Sequence, residues 1–429
     1  MSIQETKLKT HQKQTLSRPR CFSPSGRSPQ SGGLGGALRL TLAATAAASC
    51  IGTAGAQDIK LGISTDLSAS ASAEYSRNAI ACIQLAMDDI NGKGGVLGRK
   101  LALIVRDDLA QPPKAIQNVA ELIDNEKVTG LFGPTNSGNA LAYKHIVTQK
   151  RTPVLTSLGT ATDIVKPMAS GADNYNFRLS ATDREQMRSL FTYAKKSAKT
   201  KNVGFLVDST GYGQAGLRDL NELAVLYGIK PVATEKLGPN DTDMTSQLNK
   251  FKEAGVDTLF VWALGTPIGH VVRSMEKINY FPVMLTSWAS DSKGFSEVAG
   301  PKLSELPLFM RAVAPEMSPR TQELAKRVEG KLVGQSFWAC AQGYDATQLF
   351  AEAITQAGKT DGPAVRAALE DLHKPVTGYV KSYQKPFSKT QREALSGADF
   401  LWSRWKDGKV VIYSDDLVKS LKPGDFIQD

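Results

Sequence analysis

From Asp58 onward, short apolar β-branched runs alternate with amphipathic stretches of helical period, and the series runs through twice. The first pass predicts strand Ile59–Thr65, helix Tyr75–Asn91, strand Leu101–Arg106, helix Pro113–Glu126, strand Val128–Phe132, helix Asn139–Lys150 and strand Pro153–Thr156. In its first helix Ile80, Ile83, Met87 and Ile90 recur on one face, and the Gly92-Lys93-Gly94-Gly95 run stops it. Strands joined through helices lie parallel, with helices on both faces of the sheet. After Asn176–Leu179 the pattern restarts with a capping box, Thr182 to Glu185, opening a helix to about Lys196. Strand Val203–Val207, helix Gln214–Tyr227, strand Pro231–Glu235, helix Met244–Ala254, strand Asp257–Trp262, helix Pro267–Ile278 and strand Val283–Thr286 follow. Helices Arg320–Lys331, Ala339–Ala357 and Pro363–Leu372 come next, then a β-rich tail with Phe400–Trp405 and Lys409–Tyr413. The expectation is two α/β lobes joined by ordinary crossing strands, with a ligand site in the cleft between them.

Length and charge narrow the function classes. At about 150 residues per domain, 429 residues make two or three domains. The net charge is +10, but residues 1–56 hold seven basic side chains against one acid, so the remainder (45 basic, 41 acidic) carries only +4. No basic run survives downstream to neutralise a phosphate backbone, which argues against nucleic acid as a partner. Arg39, the uncharged stretch Leu40–Ile51 and the small-x-small site Ala54-Gly55-Ala56 describe a secretory leader cut before Gln57. The protein is therefore expected outside the cytoplasm, in the periplasm. A lipid anchor at Cys50 is the lesser alternative, because Ala47-Ala48-Ser49 lacks the usual large aliphatic residue. Cleavage leaves Cys82 and Cys340, both on expected helices. They read as two small buried hydrophobes, with a disulfide as the alternative.

In open parallel sheets, ligands bind beyond the carboxyl ends of strands, where helix N-termini point. Strand Val128–Phe132 runs into Gly133-Pro-Thr-Asn-Ser137, and strand Pro153–Thr156 into Ser157-Leu158-Gly159-Thr160. Two neighbouring hydroxyl-bearing turns of this kind are able to hold a carboxylate without an arginine. The bland alternative is that Ser137 and Thr160 are N-caps. In the second half, Tyr212 stands in a glycine-flanked loop after a strand, as a ligand lid or a turn ornament. Enzyme constellations are missing: there is no P-loop, no G-x-S-x-G elbow and no H-E-x-x-H. His145, His270 and His373 lack metal-ligand spacing, and no cofactor is expected.

The run Asp89-Ile-Asn-Gly-Lys-Gly-Gly-Val-Leu-Gly-Arg99, then Asp107-Asp108, Gly133-Pro134-x-x-Ser137, Tyr175-x-Phe177-Arg178, Tyr212-Gly213 and Gln342-Gly-Tyr344-Asp345-Ala346, resembles the periplasmic leucine/isoleucine/valine-binding proteins. The resemblance covers nearly all of the chain from residue 58. It implies the type I periplasmic-binding-protein fold, two doubly wound parallel-sheet lobes joined by three hinge crossings near residues 180, 313 and 378. The leader would be 1–56, one lobe 57–179 plus 314–378, and the other 180–313 plus 379–429. It also implies a monomeric solute-binding protein that passes a small organic ligand to the permease subunits of an ABC transporter. By the same resemblance, Ser137 and Thr160 meet the ligand carboxylate, Leu158 offers a backbone carbonyl to an α-ammonium, and Tyr75 and Tyr212 flank the cleft.

Two positions depart from the family. Around Leu264-Gly265-Thr266 an aromatic is missing, and Trp288 stands where amino-acid binders carry the glutamate that pairs with the ammonium. The loop disulfide of some members is also missing, its positions falling on Ala110 and Asn136. A buried ammonium without a carboxylate is costly, whereas an indole offers apolar surface. The expected ligand is thus a small carboxylate with an apolar or aromatic body, unless Asp291 turns inward to meet an ammonium. A sensory receptor of the same fold would need a membrane or signalling extension, and none is seen up to Asp429. A secreted α/β enzyme would need a nucleophile–base pair or metal cluster in the cleft.

Overall fold

The computed structural model describes residues 57–428 except Ala181 and Gln335; the expected leader and Cys50 lie outside them. The chain opens with β1 Ile59–Thr65, α1 Ala73–Asn91, β2 Leu101–Asp107, α2 Pro112–Asp124, β3 Gly130–Phe132, α3 Ser137–Gln149, β4 Val154–Thr156 and β5 Asn176–Arg178. A second series follows: α4 Asp183–Lys196, β6 Val203–Asp208, α5 Gly211–Tyr227, β7 Ala233–Leu237, α6 Thr245–Glu253, β8 Thr258–Trp262, α7 Gly265–Lys277, β9 Val283–Thr286, α8 Lys293–Leu303 and β10 Pro307–Arg311. Helices α9 Pro319–Arg327, α10 Phe337–Ala357 and α11 Gly362–Glu370 come next. The hairpin β11 Val376–Thr377 and β12 Ser382–Tyr383, strands β13 Leu401–Lys406 and β14 Lys409–Ile412, and α12 Asp416–Ser420 end the order.

The strands form two sheets of one design. The first is β2-β1-β3-β4-β5, all parallel. The second runs β7-β6-β8-β9-β10 in parallel, and β13 and β14 extend it antiparallel. Both parallel parts have the doubly wound order whose switch point, here β1/β3 and β6/β8, opens a crevice beyond the strand ends. This is the two-lobed α/β architecture expected from the sequence.

The strands and helices form where the patterns put them because β1, β6 and β8 are buried on both faces. Two expectations are corrected. Thr182 caps α4 by accepting from the Arg184 N–H (3.2 Å), while the Glu185 carboxylate goes to Arg188 (3.0 Å), so no reciprocal box forms. Cys82 and Cys340 are joined as a disulfide rather than left as separate thiols. Helices α1 and α10 pack side by side and bury both cysteines, with Cα atoms 5.0 Å apart, inside the span a disulfide bridges.

The chain passes from the first sheet to the second after Arg178 and returns after Arg311. The third passage comes later than the expected crossing near 378. Asp345 of α10 accepts from the Tyr379 N–H (2.6 Å), the Val380 N–H (2.8 Å) and the Tyr383 hydroxyl (2.8 Å). Arg178 of β5 exchanges backbone hydrogen bonds with Arg392 and Ala394. Residues 376–394 therefore stay with the first sheet, and the second is reached at Leu401. Among the described residues no helix is long and apolar enough to cross a membrane.

Candidate functional site

The loops leaving β3 and β4 meet, as two hydroxyl-bearing turns at adjacent strand ends must. Asn136, not Ser137, is the N-cap of α3, its Oδ1 accepting from the Gly138 N–H (2.9 Å). Ser137 stands one residue inside the helix, where its Oγ accepts from the N–H groups of Thr160 and Ala161, both at 3.2 Å. The two residues expected to share a carboxylate are thus in contact. The Thr160 and Ala161 amides are turned onto Ser137, which leaves the Ser137 and Thr160 hydroxyls as donors.

A small cavity lies against these loops, lined by Tyr75, Leu158, Thr160, Tyr212, Trp288 and Trp338 among others. Its volume of about 20 Å³ is room for about one water. Of the residues singled out from sequence, Ser137 alone lies a layer behind the lining. Tyr75 reaches from α1 and donates its hydroxyl to the Ala289 carbonyl of the other lobe (3.0 Å). Gly265 makes room for it, since a β-carbon there would sit 3.0 Å from the Tyr75 oxygen. Trp288 stacks on Trp338 with ring centroids 4.0 Å apart, and Trp338 in turn lies 5.1 Å from Tyr75. An indole from each lobe therefore builds one apolar wall. Trp338 was not singled out from sequence, because an aromatic at the start of a long buried helix reads as core.

Beneath Thr160 lies Asp183, the first residue of α4, which sequence reasoning also missed. It is fully buried, and the Thr160 hydroxyl and the Trp262 indole nitrogen face its carboxylate without a hydrogen bond of good geometry to either oxygen. Burial pushes Asp183 up to about 8, helped by nearby Asp219 and opposed by Thr160, Arg178 and Trp262. A buried acid held protonated in this way ionises when a cation is brought close to it. Asp291 does not supply that function. It sits 3.9 Å from Arg311 in a separate depression with Glu316, and burial pushes it up to about 7. Its backbone carbonyl, not its carboxylate, accepts from Trp338 Nε1 (3.3 Å). Leu264 lines the cavity where an aromatic was missing, and Trp262, two residues earlier at the end of β8, lies 6.4 Å from the Tyr212 ring.

The lobes touch around this cavity. Thr162 donates to Asp219 Oδ2 (2.7 Å), and Arg218 pairs with Asp163 (2.9 Å). No group of three or more His, Cys, Asp or Glu suited to a metal occurs among the described residues.

A family model for periplasmic binding proteins matches residues 58–409. The chain belongs to that family. It is 24% identical over 374 residues to the Leu/Ile/Val-binding protein homolog 3 of Brucella melitensis, covering 86% of this chain and 98% of that one. It is 25% identical over 356 residues to the Leu/Ile/Val-binding protein BraC3 of Rhizobium johnstonii, covering 82% and 93%. Among solved structures, a type 1 periplasmic binding protein from Bordetella pertussis superposes with a TM-score of 0.74 at 25% identity, over 83% of this chain and 99% of that one. Two structures of lower identity share the fold alone. One is LivJ of Streptococcus pneumoniae in complex with isoleucine (TM-score 0.69, 20% identity, 82% and 97% covered). The other is a Rhodopseudomonas palustris solute binding protein in complex with 3,4-dihydroxybenzoic acid (0.70, 19%, 82% and 95%). The family and these relatives are solute-binding proteins rather than enzymes.

Proposed function

We propose that this periplasmic binding protein serves an ABC importer from the periplasm, closing its lobes on a small zwitterion and delivering it to the permease. The observation that carries the reading is Asp183: a buried carboxylate just behind the cavity-lining Thr160 and Tyr212, with no well-formed hydrogen bond to either oxygen. A ligand ammonium would draw on it from the cavity, while the Thr160 hydroxyl at the lining, its loop held by Ser137, donates to an acid group. The Trp288–Trp338 wall suits an apolar or aromatic side chain. This favours an α-amino acid, with Asp183 doing what the family's glutamate does at the Trp288 position. Binding would draw the lobes together by favouring the closed state.

A second reading keeps the acid group without the ammonium, and Trp288 in place of a glutamate favours it. Calorimetric titration separates the two. Leucine, isoleucine, valine and phenylalanine are compared with isocaproate and benzoate, for the native protein and for Asp183→Asn. Binding of amino acids alone, lost in Asp183→Asn, is the expected result. Binding of the plain acids, unchanged in Asp183→Asn, would overturn it.

A further inference from the structure

Glu74 stands in the first turn of α1, one residue before the cavity-lining Tyr75, yet its carboxylate turns to the other lobe. One oxygen accepts from the Lys293 N–H (3.1 Å) and from the Ser336 hydroxyl; the other accepts from the Gly294 N–H (3.2 Å). Lys293 and Gly294 are the first two residues of α8, and their N–H groups have no partner within that helix. The cap residue Ser292 satisfies the next one, from Phe295 (3.2 Å). An acid from one lobe thus completes the cap of a helix in the other, where the helix dipole also favours negative charge.

The arrangement is held from behind. One turn along α1, Asn78 exchanges two hydrogen bonds with the backbone of Val333, both 2.8 Å, which fixes the chain at that point. The Ser336 hydroxyl also lies 3.2 Å from the Asp291 carbonyl of the second lobe, and Ser336 precedes Trp338 of the indole stack by two residues. Gly334 leaves the carboxylate its space, for a β-carbon there would come 2.6 Å from Glu74 Oε1. Lys293 directs its ammonium elsewhere, to Glu297 (3.3 Å).

We propose that Glu74 is an interlobe latch: a positioning residue that touches no solute and holds α8 against α1, so that the closed molecule is populated before any solute arrives. This rests on the reading of the protein as two lobes that open and close. It is tested without solute, so its outcome is independent of what the protein binds.

The experiment compares ligand-free protein with Glu74→Ala, Glu74→Gln and the surface control Glu126→Gln. It reads the radius of gyration by small-angle scattering and the quenching of tryptophan fluorescence by acrylamide. Opening separates Trp288 from Trp338, so both measurements should rise. Loss of charge-assisted bonds should lower the closed-to-open ratio about tenfold in Glu74→Ala and less in Glu74→Gln, which keeps one acceptor. The Glu126→Gln protein should match the native one. Where Glu74→Ala does not fold, the isosteric Glu74→Gln carries the test. Native scattering and quenching in a folded Glu74 variant would overturn the latch.

Discussion

A β-carbon on Gly211 would stand 2.6 Å from the Cα of Gly138, so the first turns of α5 and α3 meet backbone to backbone across the two lobes. Neither glycine has a positive φ, so alanine is free of backbone strain at both, and the constraint is the approach itself. Gly211→Ala should therefore leave each lobe intact while propping the cleft open. Overpacking of this kind costs about 1–3 kcal/mol, which read as affinity is a loss of about fivefold to 150-fold. Gly138→Ala should do less, because its own β-carbon would lie 3.2 Å from Gly211. Titration of both variants with leucine beside their melting curves checks the order; equal affinities for the native and Gly211→Ala proteins would mean the lobes need not approach this closely.

Ser137 separates a structural duty from a binding one. Its Oγ is the acceptor for two buried N–H groups, so Ser137→Ala leaves both without a partner. An unsatisfied buried donor costs about 1–3 kcal/mol, and the β4–α4 connection should loosen by that order. Thr160→Ala removes a hydroxyl at the cavity but keeps the Thr160 N–H on Ser137, so it should weaken binding with a smaller loss of stability. Urea unfolding beside titration distinguishes them, and a Ser137→Ala protein as stable as Thr160→Ala would remove the role given to Ser137.

The Cys82–Cys340 bond ties α1, which carries Glu74 and Tyr75, to α10, which carries Trp338. Its sequence separation of 258 closes a long loop, and such bonds typically add about 2–5 kcal/mol. A Cys82→Ala/Cys340→Ala protein should melt earlier by that order. Reductant should bring the native protein down to the same level and leave the double variant unchanged. A thiol assay on denatured, unreduced protein of residues 57–428 should find no free cysteine.

The alternation of strands and helices was legible because each lobe repeats one pattern, and β1 and β9 fall on the expected residues. Helix starts were read late where glycine opens the helix: α5 begins at Gly211 and α7 at Gly265, three and two residues before the expected Gln214 and Pro267. Those glycines are in the helix because Gly138 of the facing lobe crowds Gly211 and Ser292 and the Ala289 carbonyl crowd Gly265, which is a tertiary reason. Helix α8 escaped because Gly300, at φ +76°, and Pro301 interrupt its period. The two strand-end turns were legible as a pair, and they do come together. Their division of labour was not, since it depends on which way the Thr160 amide turns. Asp183 was invisible as an isolated acid because sequence places it at a helix start, where acids are ordinary. Only its burial under Thr160 marks it out. The cysteine pairing likewise depends on α1 and α10 packing side by side.

Asp183 also sets the pH dependence expected of binding. Burial raises it to about 8, so in the ligand-free protein it holds its proton near neutrality. The stability this contributes is fully present below the ordinary aspartate range and is lost as pH rises through about 8. An ammonium placed against it reverses the preference and expels the proton. Affinity for an ammonium-bearing solute should then climb from roughly pH 6 to pH 8, by at most about tenfold per unit, and level off above. Calorimetry in buffers of different ionisation enthalpy should register the released proton. In Asp183→Asn both the slope and the proton release should vanish. A plain carboxylate offers nothing to Asp183 and should bind less well as that group ionises, so a falling affinity in the native protein would show that the solute brings no positive charge to this site.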